Sequence, residues 1–446
     1  MQIPLSQVKV LKNEYLEMLM QTDWLSLLVS GDFYSFEQQL HSSLLNLYDK
    51  ICEHLIVYLS HTEVFLGVQK KLAKENCMKK LALRPSCIQL RTGTRLRYDS
   101  LYAKQVQQGH LGTRHLSLKL WNADLSASPM YKSLSCLYSV ICPSFATAKT
   151  LMNYQGITAN FDRVRQLSLG LSEQAIADRS SVQLLADESL SDKRVIIAMD
   201  GGRSRTRVYK DGVGKRDHKF DTPWREPKLF VISTIDEKGN INKHSKPIYD
   251  TTFGDDETFA LLRDYLENLE ISKAKEVQFL ADGAPWIWNR VRPMLLDLGV
   301  EDAKITETLD YYHAMEHLYE LKKYLDKDKQ TAVFEKLKDA LWKGDFTKFT
   351  RLVEKGISGV NLEEFNPYKY FKKQKNRIDY QSLKSKNSPC GSGIVESGIR
   401  RIINLRFKAP SSFWYPKNVE KLIFMRGIAL AGRWDIMMEN ITKIRN

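Results

Sequence analysis

The feature that most restricts how this chain can fold is a series of apolar strands beginning at Arg194, three of which end at an aspartate. Val195-Ile196-Ile197-Ala198-Met199 runs into Asp200-Gly201-Gly202. A second run, Leu229 to Thr234, is closed by the turn signal Glu237-Lys238-Gly239-Asn240, and Lys246 to Phe253 reads as a third. Asp255 to Leu269 has the spacing of a helix. Glu276 to Leu280 is a fourth strand that reaches Asp282-Gly283, followed by a helix from Pro285 to Leu296. Lys304 to Leu309 is a fifth, ending at Asp310, and a helix continues through Leu325. Continuous apolar runs of this length predict strands covered on both faces.

Strand, strand, strand, helix, strand, helix, strand, helix is the ribonuclease H-like order, a meander followed by right-handed parallel crossovers. It places the first and fourth strands side by side, roughly 4.8 Å apart. Asp200 and Asp282 then sit at neighbouring strand ends, where two carboxylates repel unless a cation lies between them. A third carboxylate, Glu396, falls on the helix expected from about Ser392, which can pack across that edge. Oxygen-only ligands suit a hard divalent ion, and two Mg2+ (or Mn2+) clamped by such a triad support in-line displacement at phosphorus. The separations are 82 and 114 residues, and the second contains a helical insertion, residues 311 to about 365 reading as all helical. Asp310 competes for the second position but lies one strand further from Asp200. With His313 it reads either as a group orienting the site or as an ordinary capping aspartate beside a surface histidine.

The N-terminal half is less patterned. Residues 5 to about 85 read as helical, with Leu40, Leu44, Leu45, Tyr48 and Ile51 at helical spacing. Between 87 and 122, Ile88 to Arg91, Arg95 to Tyr98 and Leu116 to Leu120 alternate apolar with polar and predict strands. Phe161 to Leu169, Gly170 and Ser172 to Ala177 fit a helix-turn-helix, or more simply a helical hairpin. The six cysteines, Cys52, Cys77, Cys87, Cys136, Cys142 and Cys390, show no zinc-knuckle spacing and no disulfide pattern. Met1 to Ser6 lacks a secretory signal and no run approaches the ~20 apolar residues of a bilayer span, so a cytoplasmic protein without a membrane role is expected.

The formal charge of +14 points to a polyanionic partner, and its distribution is uneven. Residues 369 to 408 hold eleven Lys and Arg against Asp379 and Glu396 alone, a local surplus of nine. Tyr368, Tyr370, Phe371 and Tyr380 are interleaved among them. Such a track suits a DNA backbone, with rings to stack on exposed bases. Arg203, Lys373, Lys375, Arg400, Arg401, Arg406 and Lys408 are the candidate DNA contacts.

Four ordered motifs carry a resemblance. They are Met199-Asp200-Gly201-Gly202-Arg203; Ala281-Asp282-Gly283-Ala284-Pro285-Trp286-Ile287-Trp288; Leu309-Asp310-Tyr311-Tyr312-His313-Ala314-Met315-Glu316-His317-Leu318; and Gly391-Ser392-Gly393-Ile394-Val395-Glu396-Ser397. Arg406-Phe407-Lys408 and Gly432-Arg433-Trp434-Asp435 follow. Over about residues 190 to 440 the chain resembles bacterial insertion-sequence DDE transposases of the Kra type, relatives of the Mutator-like group. The resemblance implies that Asp200, Asp282 and Glu396 form the catalytic triad, and that Asp310 and His313 form the auxiliary motif. The chain lacks the paired N-terminal cysteines common in that family, and Ala409 to Trp414 replaces a glycine-containing segment.

The expectation is an α/β ribonuclease H-like catalytic core with an all-helical insertion before its last catalytic helix, preceded by a mainly helical region containing a small β segment. The expected divisions are 1–85, helical; 86–190, a β segment plus helices for binding transposon ends; 191–326, the first part of the catalytic domain; 327–390, the insertion and basic segment; and 391–446, the last catalytic helix and C-terminal helices. Such a protein binds terminal inverted repeats and target DNA, cleaves and joins strands, and acts as a homo-oligomer, at least a dimer, on the bacterial nucleoid. The competing expectations are a domesticated DNA-binding relic without catalysis and a stand-alone ribonuclease H-like nuclease.

Overall fold

The computed structural model describes residues 5–105, 113–209, 220–242, 244–357, 361–362, 364–409 and 413–443. The chain separates into two compact units, residues 1–171 with 441–446, and residues 172–440.

The first unit opens with helices α1 (Leu5–Met20), α2 (Trp24–Val29), α3 (Phe33–Ser60) and α4 (Glu63–Glu75). Asp23, Asp32 and Thr62 each cap the next helix by accepting a backbone N–H. Strands β1 (Met78–Gln89), β2 (Arg95–Gln105) and β3 (Thr113–His115) then form an antiparallel sheet in that order. The strand region therefore begins near residue 78, whereas helix had been expected to about 85. Its pairing is irregular between Lys79 and Ala82, which hides the alternation in the sequence. Leu116 to Leu120, read as a strand, is a single helical turn, α5. Five residues are too few for periodicity to separate the two.

Helices α6 (Pro129–Ile141) and α7 (Phe145–Tyr154) follow. Phe161–Ala177 is one uninterrupted helix, α8, which replaces the expected break at Gly170. Val164, Leu167, Leu171 and Ala175 are all buried along one stripe, and that stripe overrides the local weakness of glycine.

The second unit is built on a five-stranded sheet: β4 (Arg194–Gly201), β9 (Lys228–Ile235), β10 (Ile248–Thr252), β11 (Glu276–Ala281) and β12 (Ile305–Leu309). Their order across the sheet is β10-β9-β4-β11-β12. The β10–β9 and β9–β4 pairs are antiparallel, while β4–β11 and β11–β12 are parallel. Between β4 and β9 the chain makes two short pairs absent from the sequence reading: β5 (Ser204–Arg205) with β8 (Trp224–Arg225), and β6 (Val208–Tyr209) with β7 (Phe220–Asp221).

On one face of the sheet Val195, Ile197, Met199, Phe230, Val277 and Phe279 meet helices α9 (Asp255–Asn268), α10 (Pro285–Trp288) and α11 (Val291–Asp297) through Leu262, Tyr265, Trp288 and Leu295. Helix α12 (Tyr311–Lys322) follows β12, then α13 (Gln330–Trp342), α14 (Phe346–Gly356), α15 (Asn366–Gln374) and α16 (Tyr380–Ser385). These share a separate core with α12, including Leu318, Leu337, Phe349, Phe371 and Tyr380. The other sheet face receives α17 (Gly393–Gly398) and α19 (Pro416–Leu430); α18 (Leu405–Phe407) lies between them in the chain, and α20 (Trp434–Lys443) follows α19. Gly398 lies against Leu229 and Tyr249, and Gly427 against Tyr249, so that a Cβ added at either position would be tight unless its neighbour gave way. Among the described residues, no single helix is long and apolar enough to cross a membrane.

Candidate active site

The last registered residues of the three parallel strands are Met199, Ala281 and Leu309, paired across the sheet. The next residue in each strand is an aspartate. Asp200, Asp282 and Asp310 therefore stand in a row at the C-terminal edge, at steps of roughly 4.8 Å between strands. The Asp310 N–H donates to Ala281 O (2.9 Å), which carries the strand contact up to that edge.

Each aspartate is held differently. Asp200 accepts from the Gly201 N–H (2.6 Å). Burial pushes its pKa up to about 6, the Gly201 hydrogen bond and the His313 charge oppose the rise, and the charges of Asp282 and Glu396 add to it. Four of the sequence candidates thus share one electrostatic neighbourhood. Asp282 accepts from the Ala284 N–H (2.9 Å), and its carbonyl accepts from the Trp288 indole (2.6 Å).

Asp310 is fully buried. One of its oxygens caps α12 by accepting from the His313 N–H (2.7 Å), and the other accepts from the Ser392 N–H at the start of α17. The Ser392 hydroxyl in turn donates to Glu396 Oε1 (3.1 Å). Asp310 thus caps α12 and at the same time fastens the start of the helix that carries Glu396. His313 contributes its backbone to that cap and its charge to Asp200.

Glu396 itself is exposed in the first turn of α17. The helix then widens into a π-helical stretch, Ile399–Asn404, a rare geometry that recurs at functional sites. Among the described residues, no three His, Cys, Asp or Glu side chains are gathered closely enough to hold a metal ion as they stand. The expected triad is therefore neighbouring but not converged, and Glu396 is turned to Ser392 and solvent. Three carboxylates repel one another, and that repulsion opposes closure unless positive charge is added.

The expected DNA contacts divide. Arg203, Lys373, Lys375, Arg400, Arg401 and Lys408 are exposed. Arg401 also donates to Ser397 O and to the Tyr249 hydroxyl (both 3.4 Å). Arg406 departs from the expectation: it is buried, with its guanidinium over the Trp414 ring at 4.8 Å. The aromatic side chains expected to stack on bases are likewise occupied. Tyr368, Phe371 and Tyr380 are core residues, and the Tyr370 ring stacks on His317 at 3.7 Å. Of the divergent segment 409–414, residues 410–412 lie outside the described residues, while Trp414 pairs with the β5–β6 region through Arg205 O and the Arg207 N–H.

The sequence places Ser392 and His317 within motifs and Tyr370 in the aromatic track without assigning them these contacts, and Gln374, one helical turn from Tyr370, carries no signal beyond that spacing.

No known family profile matches the sequence, and no curated protein is detectably similar to it. Among solved structures the chain has a slight likeness to the Drosophila P element transposase strand transfer complex. The likeness has a TM-score of 0.27 and 12% identity, and covers 70% of this chain and 81% of that one.

Proposed function

We propose that the second unit is a ribonuclease H-like catalytic core and that the protein is a DDE transposase, with Asp200, Asp282 and Glu396 as its acidic triad. The observation that supports this reading best is the register: two aspartates immediately beyond paired residues of adjacent parallel strands, beside a glutamate whose helix is fastened to the third strand end.

Two divalent cations, Mg2+ or Mn2+, fit the donor set, which is carboxylate oxygen throughout, and their charge would offset the burial and the carboxylate repulsion that lift Asp200. When bound, they would supply activation of water or a DNA 3′-hydroxyl and stabilisation of the departing 3′-oxygen. The chain's own contribution is orientation. Gly201 and Ala284 N–H groups aim the two aspartates, and Ser392 aims Glu396. Arg203, Arg400, Arg401 and Lys408 offer exposed positive charge for the phosphate backbone. In this reading the enzyme binds terminal inverted repeats, cleaves the phosphodiester there and joins the freed end to target DNA. Because two ends must be brought together, it works as a homo-oligomer on DNA.

The open arrangement of the three carboxylates favours a second reading, a transposase relic that binds DNA without cutting it. Cleavage of labelled DNA bearing the element's own terminus, in Mg2+ or Mn2+, separates the two. Nicking by the wild type and none by Glu396→Gln, with both still binding, is the expected result. Equal cutting by both removes Glu396 from the mechanism, and binding without cutting by either supports the relic.

A further inference from the structure

Residues 370 to 377 were read as part of a basic track for DNA, yet one face of this segment points at the loop that carries Asp282. Tyr370 and Gln374 are four apart on α15, and the 3-10 turn Lys375–Arg377 carries the same face on to Arg377. All three meet the Asp282–Gly283 turn or what holds it. The Tyr370 ring lies directly on Gly283, where an added Cβ would come within 2.3 Å of it. Gln374, itself buried, donates to Gly283 O (3.2 Å). Arg377 lies over the Trp288 ring at 4.5 Å, and Trp288 holds the Asp282 carbonyl. Arg377 is anchored by Glu307 of β12 (2.9 Å) and also donates to Gln374 Oε1 (3.0 Å). The far side of the Tyr370 ring is closed by His317 of α12.

We propose that Tyr370, Gln374 and Arg377 are positioning residues through which the helical insertion clamps the Asp282 turn from outside the sheet. The proposal rests on the reading of Asp282 as a member of the site. A strand end followed by glycine is otherwise loose, and this face replaces that freedom with a ring contact, a hydrogen bond and a stacked indole. The same segment keeps Lys373 and Lys375 exposed, so clamp and DNA-facing charge share one element. Catalytic geometry and the fold of the insertion are thereby coupled: loosening α15 loosens Asp282.

The test uses the full chain and two readouts. The first is hydrogen–deuterium exchange over residues 282–290, where the Ala284, Ile287, Asn289 and Arg290 amides bond within the segment. Tyr370→Leu and Gln374→Ala are expected to exchange about tenfold faster there. Tyr370→Phe keeps the ring and is expected to match the wild type, as is Lys373→Ala. The second readout is calorimetric Mn2+ binding, expected to weaken roughly 10-fold or more in the first two variants and not in the last two. DNA affinity should be unchanged in Tyr370→Leu and Gln374→Ala. Unaltered exchange at 282–290 in both Tyr370→Leu and Gln374→Ala overturns the clamp, as does failure of Tyr370→Phe to match the wild type. Should the wild type itself bind no Mn2+, the metal-dependent reading of the site falls, while faster exchange still upholds the clamp.

Discussion

Asp200 carries a cost that its neighbours impose. Its carboxyl titrates near 6 instead of the ordinary 3.8, first because it is buried and then because Asp282 and Glu396 stand near. A raised folded-state pKa in an acid means that the folded protein holds the proton more tightly than the unfolded chain does. Stability therefore falls as pH rises from 3.8 to about 6 and stays lower above that. Asp200→Asn, isosteric and uncharged, is expected to stabilise the protein by about 3 kcal/mol at pH 7.5 without divalent metal. The gain should vanish near pH 3.8 and shrink when Mn2+ is added. Melting curves at the two pH values, with and without Mn2+, check this; an unchanged Tm at pH 7.5 would show that the charge costs nothing there.

At the scale of elements, the same logic distinguishes groups that touch the site from groups that hold it. Arg433, part of the Gly432-Arg433-Trp434-Asp435 motif, is almost wholly buried between α19 and α20. It pairs with Glu188 at 2.6 Å and donates to Gln183 O and Pro247 O (both 2.9 Å) and to Lys246 O. Its work is to tie the segment entering β4 and the segment entering β10 to the C-terminal helices. Arg433→Ala leaves a half-buried carboxylate and three carbonyls without their donor, and should cost about 3 kcal/mol. Burial would lift the Glu188 carboxyl, but the hydrogen bonds and charge of Arg433 outweigh it and hold the pKa below 4.5. The contribution is thus complete above pH 4.5 and lost as pH falls through the lower folded value. The Tm gap between wild type and variant should narrow in acid, and a constant gap down to pH 3 would exclude the ion pair as its source.

For the whole molecule, the surplus of charge in residues 369–408 is real but not all of it faces solvent. Arg377 and Arg406 are taken up internally, by Glu307 and by the Trp414 ring, while Lys373 and Lys375 are free to meet phosphate. Each of Lys373→Ala and Lys375→Ala should lower the slope of log affinity against log salt by about 1. Arg406→Ala should leave that slope alone and lower Tm. Filter-binding or fluorescence titrations across a salt series decide the matter, and an equal slope change for Arg406→Ala would return it to the DNA-contacting set.

How much of this was legible beforehand follows from the range of the forces involved. Strand ends were readable because a continuous apolar run stops where burial stops, and a charge at that point is local information. Asp200, Asp282 and Asp310 are such cases, and capping by Asp310 is equally local. The break expected at Gly170 was a local signal overruled by a stripe of buried side chains. The sequence by itself determined the five strands of the larger sheet, their acidic ends and the excess of positive charge, since each depends on neighbours a few residues away. Only the tertiary structure decided which arginines are buried and that Tyr370, Gln374 and Arg377 grip the Asp282 turn. The contacts of Tyr370, Gln374 and Arg377 reach partners about 70 to 91 residues distant in Glu307, Gly283 and Trp288, and the burial of Arg406 depends on packing against an aromatic ring, which no local pattern encodes.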